Sequence, residues 1–144
     1  MSLSHADIER LLPHKGAMCF LDAVTDWDHD NICCSATAPG AGHPLMRNGR
    51  VSALVAVEYA AQATALHGAL LDTATHPQAG MLATLRDVDL HGTWFPVNKK
   101  ALTVHAKLLS RTDGGCAYSF KVASAHQPIA SGCLLVAFQS LIER

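Results

Sequence analysis

The stretch G42-H-P-L-M-R-N-G-R-V-S-A-L-V-A-V-E-Y-A-A-Q-A-T-A-L-H-G-A-L-L71 decides how this chain folds. Its second half, from about Arg50 to Leu71, is apolar all round and rich in alanine, the composition of a helix buried in a protein core or in lipid. Its first half belongs to a loop, Pro39 to Gly49, that holds three glycines and two prolines and reads as irregular chain. One histidine, His43, stands in that loop fifteen residues ahead of one carboxylate, Glu58, in the helix. A carboxylate in an apolar helix is costly unless it is paired, neutralised or used. Histidine and a carboxyl of raised pKa together make an acid–base pair suited to moving protons near neutral pH.

The flanks say what the helix packs against. Ser4 with Asp7 predicts an N-cap and a short helix that Pro13 ends. Two strands are expected at Met18–Thr25 and Ile32–Ala38, joined by the turn-forming D-W-D-H-D-N. After Pro77 the chain reads as strands: Met81–Leu90, Ala101–Ser110, a run around Cys116–Val122, and Pro128–Gln139. Leu102, Val104, Ala106 and Leu108 alternate with Thr103, His105 and Lys107, the pattern of a half-buried strand. T-D-G-G predicts one hairpin turn and H-Q-P a second. The last run is apolar on both faces and is expected in the sheet interior. Half-buried strands need a cover, so the apolar helix is expected to supply it rather than to span a membrane. The architecture predicted is α+β: a curved antiparallel sheet wrapped around one long central helix, in a single domain over residues 1–144.

The chain has 144 residues, 49% of them hydrophobic, and a formal net charge of −1. That suits one core and argues against nucleic acid or an anionic membrane as partner. No basic, apolar leader opens the sequence, and five cysteines form no C-x-x-C pair, so reduced thiols in a cytoplasmic protein are expected. His67, His76 and His91 lack metal-ligand spacing, and no P-loop or nucleophile elbow occurs; neither metal nor cofactor is expected.

The opening I-E-R-L-L-P-H-K-G-A-M-C-F-L-D-A-V resembles that of the β-hydroxyacyl-acyl carrier protein dehydratases, which have the hot-dog fold. His43-Pro44 and the later E-Y-A-A-Q-A resemble their catalytic loop and central helix. F-P-V-N-K resembles their Pro-Val loop, and I-A-S-G-C-L-L-V-A-F their last strand. The family's H-F-P-G-x-P-x-x-P-G loop is replaced here by H-P-L-M-R-N-G-R-V-S-A, and its glycine five residues before the glutamate by Ala53. In that respect the chain is most similar to the dehydratase-like proteins of aryl-polyene clusters.

The resemblance implies loss of water from a β-hydroxyacyl thioester, bound to acyl carrier protein or CoA, to give a trans-2-enoyl thioester. It implies His43 as base and Glu58 as acid, with one residue doing both as the alternative. The two groups would come from different subunits of a homodimer or higher even oligomer. A backbone N–H at Ala53 or its neighbours, at the helix start, would stabilise the thioester oxygen. Gln62, one turn after Glu58, would orient that carboxyl or a water. Arg47, Arg50, Lys99 and Lys100 would form a cationic patch for an acidic carrier protein. Two other functions compete: an acyl thioesterase, which would release free thiol, and a non-catalytic acyl-binding or partner subunit.

Overall fold

In a computed structural model of the chain, residues 2–12, 16–40, 42–71, 80–96 and 100–138 are described. The short helix α1 spans His5–Leu11. Its Ser4 N-cap side chain accepts from the Asp7 N–H, and the Asp7 carboxylate accepts from the Ser4 N–H. Strands β1 (Ala23–Trp27) and β2 (Asn31–Ala36) form an antiparallel pair. The central helix α2 (Ala56–Leu71) is preceded by a 3-10 turn at Ala53–Val55. Strands β3 (Gly80–Leu90), β4 (Leu102–Thr112), β5 (Gly115–Ser124) and β6 (Gln127–Phe138) follow. They complete a six-stranded antiparallel sheet in the order β1-β2-β4-β5-β6-β3.

The alternation seen in the sequence sets which face is covered. Leu102, Val104 and Ala106 on β4, Tyr118, Phe120 and Val122 on β5, and Ile32, Cys34 and Ala36 on β2 are all buried. Against them lies α2, contributing Ala56, Val57, Tyr59, Ala60, Ala63 and Leu66 to one core. β6 is interior, between β5 and β3, as its apolar faces require. By length and hydropathy the segment Ala53–Leu71 would be able to cross a membrane; here it covers the sheet.

Two boundaries depart from the sequence reading. The first strand begins at Ala23 rather than Met18. Met18 and Phe20, ahead of it, are held by a side chain instead of a neighbouring strand: the Phe20 N–H donates to Gln62 Oε1 at 2.9 Å, and Gln62 Nε2 donates to the Met18 carbonyl at 2.7 Å. The amide thus satisfies both a donor and an acceptor that a ladder would otherwise use. The helix begins later than Arg50, because Ser52 caps it, its Oγ accepting from the Leu54 N–H at 3.2 Å. What reads as irregular loop before it contains a two-residue turn. Asn48 and Gly49 have φ of 54° and 76°, and Arg47 and Arg50 exchange backbone hydrogen bonds of 2.8 and 3.1 Å. Asn-Gly is the preferred pair for such a turn.

Candidate active site

His43 lies beside α2 and is fixed at both ring nitrogens. The Leu45 N–H donates to Nδ1 at 3.1 Å, while Nε2 stands 3.1 Å from the Tyr59 hydroxyl. A backbone amide only donates, so Nδ1 keeps its lone pair and the neutral ring carries its hydrogen on Nε2. This tautomer follows from the partners. Burial holds the imidazole below the ordinary histidine range, which favours the neutral form. Phe20 packs against the ring with centroids 5.0 Å apart, and stacks on Tyr59 at 4.8 Å; Phe95 closes on Tyr59 at 5.7 Å. Tyr59 itself is buried. Its hydroxyl is pushed above the usual tyrosine range by burial and then by the Asp22 carboxylate.

Glu58 occupies the first turn of α2 and its side chain is exposed in the single chain. The expectation of a carboxylate buried in its own helix is therefore corrected: the apolar neighbours in sequence point other ways around the helix. It makes no hydrogen bond or ion pair among the described residues, and the group within reach of His43 is Tyr59, the next residue along. Glu58 shares its face with Leu54, Ala61 and Ala65, at helical spacing; Leu54 and Ala65 are exposed and Ala61 half-buried.

Gln62 does not face Glu58. It is 2% exposed and committed to Phe20 and Met18, which makes it a clamp on the chain leading into β1. At the helix start the Ala53 N–H donates to the Thr93 carbonyl at 2.9 Å. The Leu54 N–H goes to Ser52 Oγ and the Val55 N–H to the Ser52 carbonyl. The donors expected there for a thioester oxygen are thus already engaged. Arg47 and Arg50 are exposed; the Arg47 guanidinium donates to the Pro44 and Met46 carbonyls, and that of Arg50 lies 4.8 Å from the Trp94 ring centroid. Lys100 is exposed, and Lys99 lies outside the described residues.

Tyr59 is the residue that sequence reasoning missed. Its signal was its place: one residue after the glutamate, about a hundred degrees around the helix, where a bulky polar side chain must turn inward when Glu58 turns out. His67 is fully buried, and structural. Its Nε2–H donates to the Asp28 carbonyl at 2.8 Å and its Nδ1 accepts from the Tyr118 hydroxyl at 2.7 Å. Cys34 is buried and its thiol is pushed up to about 12 by that burial, as suits an inert packing residue. Among the described residues no cluster of His, Cys, Asp or Glu could hold a metal ion.

A sheet of this order around one helix, with a loop histidine at the side of that helix, is the hot-dog fold, and solved structures of that fold superpose on it. The dehydratase heterocomplex ApeI:P from Xenorhabdus doucetiae matches with a TM-score of 0.84 at 20% identity, over 94% of this chain and 93% of that one. The thioesterase HI1161 from Haemophilus influenzae matches at 0.70 with 14% identity, over 99% and 94%. AziG from S. sahachiroi matches at 0.62 with 16% identity, over 92% and 100%. No curated protein matches the sequence. The chain belongs to the ApeP-like family, described as ApeP dehydratase, which matches residues 6–142. It is a dehydratase, a hydro-lyase.

Proposed function

We propose that the substrate is a β-hydroxyacyl thioester on acyl carrier protein, dehydrated to the trans-2-enoyl thioester in fatty-acid or aryl-polyene-type polyketide synthesis in the cytoplasm. The observation that carries this reading is His43, a neutral imidazole held at both nitrogens beside the central helix of a dehydratase-family chain. Eliminating water needs a weakly acidic α-hydrogen removed and a poor leaving group protonated. A carboxyl can do both in turn, and Glu58 is the one on α2.

His43 and Glu58 of one chain do not meet, so the site takes one group from each of two chains. The exposed Leu54–Glu58–Ala65 face supports this, since it presents Glu58 outward with apolar surface around it. The second chain is either another copy or a related dehydratase subunit, as in the heterocomplex from Xenorhabdus doucetiae. Arg47 and Arg50, with Lys99 and Lys100, are the cations offered to an acidic carrier.

The thioesterase reading draws on neighbours such as the Haemophilus influenzae protein. Hydrolysis has no need of the histidine, and this disfavours it. The test is to incubate the purified protein, in the assembly in which it is isolated, with a β-hydroxyacyl thioester. Enoyl thioester should accumulate without free thiol, and Glu58→Gln should lower turnover about 10²- to 10⁴-fold while the protein stays folded. Release of free thiol at the same rate would establish the hydrolase, and undiminished turnover in Glu58→Gln would remove the carboxyl from the reaction.

A further inference from the structure

We propose that His67 is an acid-operated latch: its neutral ring fastens the turn between β1 and β2 to α2 and β5, and a second ring proton releases that turn. Release would reach the candidate site as well, because the chain enters β1 from Phe20, whose ring lies 5.0 Å from that of His43.

His67 stands in the last turns of α2 and has no exposed surface. Its Nε2–H donates to the carbonyl of Asp28, the residue that follows β1, at 2.8 Å, and its Nδ1 accepts from the Tyr118 hydroxyl of β5 at 2.7 Å. Trp27 meets the ring edge-on with centroids 6.4 Å apart, and Tyr118 does so at 5.6 Å. One side chain thus joins three elements that are far apart in sequence. The arrangement suits only the neutral ring. A proton on Nδ1 would meet the hydroxyl hydrogen now directed at it, so Tyr118 would have to turn that hydrogen away.

The surroundings do little to hold the charge that proton would bring. Asp28 supplies a carboxylate that acts on the ring, but its Oδ1 already accepts from the Asp30 and Asn31 N–H groups at 2.9 and 2.8 Å. His29 in the same turn and Arg111 on β4 oppose a positive ring. α2 carries no other charged side chain after Glu58, and Trp27 offers only an N–H donor. Burial therefore outweighs the pull of Asp28 and holds His67 below the ordinary histidine value of 6.5. Once the turn opens, the ring meets water and returns to that ordinary value, so the open form binds the proton more readily. The latch is at full strength above about pH 6.5 and weakens as pH falls from there toward the lower value of the closed form.

Hydrogen exchange reads the latch directly, because it reports the opening of one segment at a time. With intrinsic exchange divided out, opening of residues 23–36 should grow about tenfold per pH unit below about pH 6.5, until the value of the closed form is reached. β5 and β6 should keep their protection. His67→Gln retains a donor toward the Asp28 carbonyl but cannot gain a proton, and should abolish the rise. His105 is the control, since its Nε2 lies 3.0 Å from Asn31 Oδ1 on β2; His105→Gln should leave the rise intact. No rise in the parent, a rise that survives His67→Gln, or one that vanishes in His105→Gln would each overturn the latch. Should His67→Gln fail to fold, NMR titration of the histidine rings in the parent protein decides the matter. His67 should stay neutral at a pH where the exposed His29 and His126 are protonated, and should take its proton only as the turn opens. A His67 that charges while residues 23–36 stay protected would overturn the proposal.

Discussion

At the scale of single residues, Gln62 and Glu58 exchange the roles their spacing suggests. They stand one turn apart, yet one is buried and the other exposed. An α-helix with no polar stripe gives no internal sign of which way it is turned, and that orientation decides which polar side chains point inward. The Gln62 amide reaches forty-two residues back to the Phe20 N–H, a long-range pairing that no local pattern encodes. Replacing Gln62 with Ala leaves that buried donor and the Met18 carbonyl without partners. The expected cost is about 2–3 kcal/mol of stability, the penalty for abandoned buried polar groups. Turnover per folded molecule should fall only slightly. Urea unfolding alongside specific activity checks this, and a large activity loss at unchanged stability would return Gln62 to the site.

At the scale of elements, the strands were legible and the turns less so. Five of the six strands lie, to within two residues, where alternation and turn residues place them, because a half-buried strand writes its burial into every second residue. The turn between β5 and β6, read at H-Q-P, lies one residue earlier, because it is made by Ala125 and His126, neither of them glycine, asparagine or aspartate. They adopt φ of 49° and 71° with Ser124 facing Gln127 across the ladder. By contrast, the T-D-G-G turn between β4 and β5 is plain in the sequence, and its second glycine has a packing reason: a Cβ on Gly115 would collide with the Val136 carbonyl oxygen. Alanine in the left-handed region costs roughly 1–2 kcal/mol. Changing Ala125 and His126 together to Asn and Gly should therefore raise stability by about 1–2 kcal/mol and Tm by a few degrees. Differential scanning calorimetry reads the outcome; a lower Tm would mean that these side chains make contacts worth more than the strain.

At the scale of the whole molecule, one chain carries both residues of the proposed site without bringing them together. Its sequence shows both His43 and Glu58, but a linear pattern cannot tell a pair that meets within the chain from a pair that meets across an interface. The geometry of the exposed face bears on that difference. Leu54 is 53% exposed and stands one helical turn before Glu58; the half-buried Ala61 and exposed Ala65 continue the same face one and two turns after it, a narrow strip that suits close approach of another surface. β3 is at one edge of the sheet, and Leu85 and Leu90 on it are exposed as well. At the other edge, the backbone of Leu3 already pairs with Val24 on β1.

Leu54→Glu tests whether the strip is an interface without disturbing the core. The side chain has little to lose by burial, and a negative charge at a helix start is favourable by about 0.3–1 kcal/mol. The isolated chain should therefore fold as well as before. Burying a new carboxylate against a partner would instead be costly, so the assembly should dissociate and turnover should fall with it. Sedimentation of the variant is expected to show a lighter species with an unchanged circular dichroism spectrum, and activity should fall in proportion to the assembly lost. An intact assembly with full activity would place the second chain elsewhere, and would leave Glu58 on a surface that nothing covers.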